Sequence, residues 1–101
     1  MEIFNSAHDL RVVIRKLDEE ILDVRATALE VEDALGRFEV TADGAPALAS
    51  LVPSTIVIRK RDGSEVRVTS SWGTLTAAGG QARIVVREAS ISFTEPMKVA
   101  V

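Results

Sequence analysis

The sequence predicts an all-β domain, a two-sheet antiparallel β-sandwich of about ten short strands. Three observations carry that expectation. Short apolar–polar alternations recur along the chain, with turn signals every ~8–12 residues, as in small sandwiches and barrels. Asp62-Gly63 separates two such alternations, one placing Ile56 and Ile58 on a common face, the other Val66 and Val68. That dipeptide supplies the positive φ angles of a tight hairpin turn. Gly79-Gly80 reverses the chain again between Gly73-Thr-Leu-Thr and the alternating run from Gln81.

The elements follow in order. Residues 1–9 are polar and read as a flexible N-terminus. Leu10, Val12 and Ile14 alternate onto one face of the first strand. Residues 17–35 support two readings. Leu17, Ile21, Val24, Ala28, Val31 and Leu35 fall at steps of four and three, which is an apolar helical stripe. The same stretch also reads as strands. Val24-Arg-Ala-Thr-Ala alternates on one phase and Leu29-Glu-Val-Glu on the other, a one-residue shift of the kind a β-bulge produces. Gly36–Val40 is a short strand with Phe38 and Val40 inward. Asp43-Gly44 marks a loop, and Ala47–Leu51 reads as one helical turn stopped by Pro53. After the hairpin around Asp62-Gly63, Ala82, Ile84 and Val86 share a face. Ala89, Ile91 and Phe93 then continue to Glu95-Pro96. The domain is expected at 10–95, with 96–101 as a tail.

Composition sets limits. A chain of 101 residues, 47% apolar and 27% charged, makes one globular domain with a modest core. Aromatics are few, so Val, Ile, Leu and Ala must build it. The formal net charge of -3 gives no general attraction for nucleic acid or anionic lipid. Cysteine is absent, so disulfides and thiolate metal sites are excluded. No apolar run approaches the ~20 residues of a membrane span, and no secretory signal is visible, so an intracellular protein is expected.

Little in the chain suggests catalysis. His8 is the single histidine, so a zinc site or a histidine-based triad cannot be assembled. Asp18, Glu19 and Glu20 form one acidic cluster, and Glu30, Glu32 and Asp33 another. Neither has the spacing of a calcium loop, and both read as solvated faces. Arg59-Lys60-Arg61, with Arg67, Arg83 and Arg87 on nearby strands, is basic but lacks aromatics for base stacking. It reads as edge protection of hairpin arms. Trp72 reads as core filler or loop clamp, with an interface anchor as the second reading. No cofactor or metal is expected. From the residues alone, the chain is a small non-enzymatic β module.

Taken together, the segments resemble the N-terminal β-sandwich of the ε subunit of bacterial F-type ATP synthase, the δ subunit in mitochondrial naming. The version from alternate, N-type operons is the nearest. The residues that carry the resemblance are Leu10-Arg-Val-Val-Ile, Gly36-Arg-Phe, Val40, Ala45-Pro46, Leu51-Val-Pro53, Asp62-Gly63, Gly73-Thr-Leu75 and Ile84-Val-Val-Arg-Glu-Ala89. It spans about residues 10–91. The chain departs from the pattern where Glu39 replaces a glycine, Ala42 a proline, Gly44 a histidine, Ser54 a glycine and Trp72 the first glycine of a pair.

The resemblance implies strands across 17–35 and a non-catalytic role in the central stalk. It implies two partners, the γ subunit and the c-ring, and no nucleic acid. Gly36, Arg37 and Phe38 would lie at the c-ring end, with Phe38 more a core residue. Gly44, Ala45 and Pro46 would lie on the γ side. Family members usually continue into an inhibitory two-helix domain, for which these 101 residues leave no room. The implied location is cytoplasmic, peripheral at the inner face of the plasma membrane through the complex. Two alternatives stand beside this one, both acting as protein-interaction modules with another partner. One is an ε-like paralogue, the other a small α/β domain with 17–35 helical.

Overall fold

A computed structural model describes residues 9–94. Ten strands follow in sequence: β1 (Leu10–Lys16), β2 (Glu19–Ala26), β3 (Ala28–Asp33), β4 (Gly36–Val40), β5 (Ala47–Leu51), β6 (Ser54–Arg59), β7 (Glu65–Ser70), β8 (Gly73–Ala78), β9 (Gln81–Val86) and β10 (Ala89–Thr94). Among the described residues there is no helix. The expected flexible N-terminus and tail, and the reading of His8, lie outside the described residues except for Asp9.

Pairing runs β10-β7-β6-β3-β5-β8-β9-β1-β2, with β4 on the other edge of β3. The path folds into two five-stranded layers. One is β4-β3-β6-β7-β10 and the other β5-β8-β9-β1-β2. They meet where the inner edge of β3 changes partner. Ala28–Glu30 pair with β6, while Asp33 pairs with Leu51 of β5. All pairs are antiparallel except β1 with β9, which is parallel, with Arg11 opposite Gln81 and Arg15 opposite Val85.

One core fills the space between the layers. Leu10, Val12, Ile14, Leu75 and Ile84 enter it from one side, and Leu29, Val31, Ile56, Ile58, Val66 and Val68 from the other. Each such aliphatic side chain contributes about 1.5–3 kcal/mol by leaving water. Together they replace the aromatic core that this sequence lacks.

The helical stripe over 17–35 is overridden. Leu17 and Leu35 are exposed, while Leu29, off that stripe, is fully buried. The one-residue phase change is real but is not a bulge. It is a corner at Thr27, where the chain passes from β2 in one layer to β3 in the other. Thr27 anchors it by donating both its N–H and its Oγ1–H to the Arg59 carbonyl, at 2.8 and 3.1 Å. The bulge lies elsewhere, in the β1–β2 ladder after Ile14, and leaves Ile21 out of register.

Two further local readings are corrected. Ala47–Leu51 is a strand and not a helical turn. Five cross-strand pairs with β8 outweigh the helix propensity of Ala-Leu-Ala, and only its alternate residues Ala47, Ala49 and Leu51 turn toward the core. The β6–β7 connection is also longer than a two-residue turn. Gly63 N–H donates to Lys60 O, Lys60 N–H donates to Ser64 O, and Gly63 alone has positive φ. Asp62 instead holds the loop by accepting from Ser64 N and Oγ at 2.9 and 2.6 Å. The β8–β9 turn does use two left-handed glycines, Gly79 and Gly80.

Candidate interaction surfaces

The six residues singled out from the sequence fall in two segments, Gly36, Arg37 and Phe38 in the first half of β4, and Gly44, Ala45 and Pro46 in the loop between β4 and β5. They do not form one site. At one end is the β3–β4 hairpin. Asp33 Oδ1 accepts from the N–H groups of Leu35 and Gly36 at 2.8 and 3.2 Å, and Gly36 adopts φ 136°. This tight tip pushes Leu35 into solvent at 97% exposure. Leu35 was missed as a surface residue because it completes the helical spacing. The available signal was its place between Asp33-Ala34 and Gly36, a turn sequence.

Phe38 pairs with Val31 and packs on the core, as its alternation implied. Arg37 is engaged within the domain. Its Nε lies 3.2 Å from Glu30 Oε2, its Nη1 donates to Glu32 Oε1 at 3.3 Å, and its Nη2 donates to the Thr55 carbonyl at 3.0 Å. Arg59 continues the network to Glu39 at 3.2 Å, Glu30 at 3.4 Å and Glu65 at 3.6 Å, and Arg67 closes it on Glu65 at 2.9 Å. The arginine cluster read from the sequence is therefore divided. Arg59 and Arg67 are neutralised on one layer, while Arg83 lies on the other.

Hydrogen bonding from Arg37 holds the Glu30 carboxyl below its ordinary value, against a smaller opposing effect of desolvation. A carboxylate whose folded value is depressed stabilises the fold above its unfolded value. That contribution is lost as pH falls through the folded value. Arg37→Gln should therefore melt below wild type at neutral pH. The gap should narrow in acid below the ordinary carboxylate range, about pH 4, to what the bond to the Thr55 carbonyl contributes. Thermal unfolding across pH checks this, and a gap of the same size in acid refutes it.

At the other end of β4, Gly44 N–H donates to Thr41 O at 3.2 Å, which sets the exposed loop Gly44-Ala45-Pro46. Gly44 and Ala45 line a small surface pocket together with Leu10 and the Gly79-Gly80 turn. At the hairpin end, Trp72 is 58% exposed, so it is not core filler. With Leu17 and Val85 it lines a groove of 670 Å³, whose rim carries Lys16, Arg87 and Glu88.

Residues 9–92 match the family model of the ATP synthase delta/epsilon chain β-sandwich domain. The chain belongs to this family. Two solved structures share the fold of this delta/epsilon-type domain. One is a chain of the Euglena gracilis mitochondrial ATP synthase, solved as OSCP/F1/c-ring. It is 20% identical with a TM-score of 0.79, covering 83% of this chain and 54% of that one. The other comes from the central stalk/c-ring of the Tetrahymena thermophila mitochondrial enzyme. It is 16% identical with a TM-score of 0.67, covering 80% and 65%. The domain thus spans about half to two thirds of those chains. Comparison with curated proteins gave no match.

Proposed function

We propose that this delta/epsilon-type domain is a non-catalytic part of the central stalk of a rotary ATP synthase, linking the c-ring to the γ subunit. The family match over residues 9–92 carries the reading. The two structures of like fold add support, since both come from ATP synthase preparations containing the c-ring. In this reading the β3–β4 hairpin meets the c-ring, with Gly36 shaping the tip, Phe38 anchoring it to the core and Arg37 bracing it through Glu30 and Glu32. The contact is then made by Leu35 and the backbone around it. The loop Gly44-Ala45-Pro46 faces γ. The domain is held at the membrane only through the complex, on the side that carries the catalytic head, and its role is mechanical.

The test is co-purification with the γ subunit of the same host. Co-elution as a defined complex, weakened by Pro46→Glu and unchanged by Leu35→Asp, is the expected result. Leu35→Asp should instead reduce association of the assembled stalk with the c-ring. Failure of a folded, β-rich domain to bind γ would overturn the stalk assignment.

A further inference from the structure

The two layers treat their charged residues differently. On the outer face of β4-β3-β6-β7, Arg37, Arg59 and Arg67 are each within 4 Å of a carboxylate. On the outer face of β2-β1-β9, four arginines stand around Val13, which is only 6% exposed. Arg11 is directly opposite Arg25, and Val13 is opposite Arg83 on β9 and Asp23 on β2. Arg15 follows on β1, with Glu20 across from it.

Asp23 pairs bidentately with Arg11 at 3.0 and 2.7 Å, and Arg25 acts on the same carboxylate at longer range. Arg15 Nε donates to the carbonyl of Lys16 and makes no ion pair with Glu20. Among the described residues, neither Arg25 nor Arg83 has a carboxylate of its own within 4 Å. The neighbouring strands offer none, since Thr74, Thr76 and Ala78 of β8 and Leu48 and Ser50 of β5 face the same way. Like charges placed directly opposite across a ladder cost stability. Arg11 and Arg25 share the one carboxylate of Asp23, whereas the other layer of this same acidic chain pairs every arginine named above.

We infer that the outer face of β2-β1-β9 is a docking surface for a carboxylate-bearing protein surface on the stalk partner γ. This rests on the stalk reading above and extends its γ-side contact. The face is continuous with that contact. Arg11 N–H donates to Gly80 O, and the Gly79-Gly80 turn lines one small surface pocket together with Gly44 and Ala45. Its chemistry suits a protein more than a nucleic acid. It is a pleated face whose guanidinium groups are interleaved with Val13, Val85 and Leu48, and its one neighbouring aromatic, Trp72 beside Val85, makes no row of platforms for base stacking. Guanidinium groups here would meet carboxylates bidentately, and the excess of arginine over carboxylate on this face would also speed encounter.

The experiment measures γ binding by the wild type, by Arg25→Glu with Arg83→Glu, and by Thr69→Glu on the opposite layer, at low and high salt. Far-UV circular dichroism and melting temperature confirm folding of each variant. The inference expects the double reversal to weaken binding by about tenfold or more and to flatten its salt dependence, with Thr69→Glu unchanged. Wild-type binding that the double reversal leaves intact overturns this inference and leaves the stalk reading standing. No wild-type binding overturns both. A parallel arm uses vesicles of phosphatidylglycerol and phosphatidylcholine. Sedimentation with them that requires Arg25 and Arg83, without an effect of the reversals on γ, assigns the face to lipid and overturns the inference.

Discussion

Leu29→Ala is expected to lower stability by about 2–5 kcal/mol, while Leu35→Ala should change it by less than about 0.5 kcal/mol. Leu29 is fully buried in β3, opposite Val40 of β4 on one side and Ile58 of β6 on the other. Its removal leaves a cavity at the centre of one layer, where both neighbouring strands are held by their own ladders and cannot close in. Leu35 stands clear at the hairpin tip. The contrast also separates the two conformations open to residues 17–35. An amphipathic helix built on the Leu17–Leu35 stripe would bury Leu35 and spare Leu29, reversing the order of the two effects. Urea unfolding of both variants decides it. For a domain of this size the loss at position 29 corresponds to roughly 10–30 °C in melting temperature.

Gly73→Ala is expected to be nearly as damaging despite adding a single methyl group. Gly73 opens β8 between Leu51 of β5 and Val86 of β9. A Cβ there would stand 2.7 Å from the Val85 carbonyl oxygen and 2.8 Å from Val86 Cγ1. The first is backbone in a paired strand, so relief requires β8 and β9 to separate. A cost of about 1–3 kcal/mol follows from overpacking of this kind. Gly44→Ala is the comparison. Its Cβ would come no closer than 3.3 Å, to the rotatable Thr41 Oγ1. Melting curves should therefore show a large drop for the first variant and a small one for the second. Equal effects would mean that β8 and β9 separate more readily than their register suggests.

These positions also show what the sequence makes legible. Alternation exposes a strand when one face is apolar and the other polar, as in Val66-Arg-Val-Thr or Ala82-Arg-Ile-Val-Val. It fails for Ala47–Leu51, where small residues favour a helix locally and only the ladder to β8 imposes extension. It is ambiguous at 17–35, because two strands on different layers, joined by a one-residue corner at Thr27, mimic helical spacing. The surfaces were harder to read than the fold. Gly36, Phe38, Gly44, Ala45 and Pro46 fall where the start of a strand, a core position and a loop were expected. The engagement of Arg37 depends on Glu30, Glu32 and Thr55 meeting across three strands. The division of the arginines depends on which layer each strand joins, which only long-range pairing determines.

The parallel pairing of β1 with β9 has a consequence for biogenesis. The β1–β2 hairpin can close as soon as both strands have left the ribosome. The opposite side of β1 finds its neighbour only when the sequence around Gln81 has been made. At ~5–20 residues per second, that delay lasts on the order of several seconds. During it the nascent chain presents an unpaired strand side, with Leu10, Val12 and Ile14 still uncovered by the second layer. Pairings so distant along the chain also slow spontaneous folding. Within this domain the segment most in need of a chaperone is therefore β1, and its last protection comes from β9, about seventy residues further along the chain.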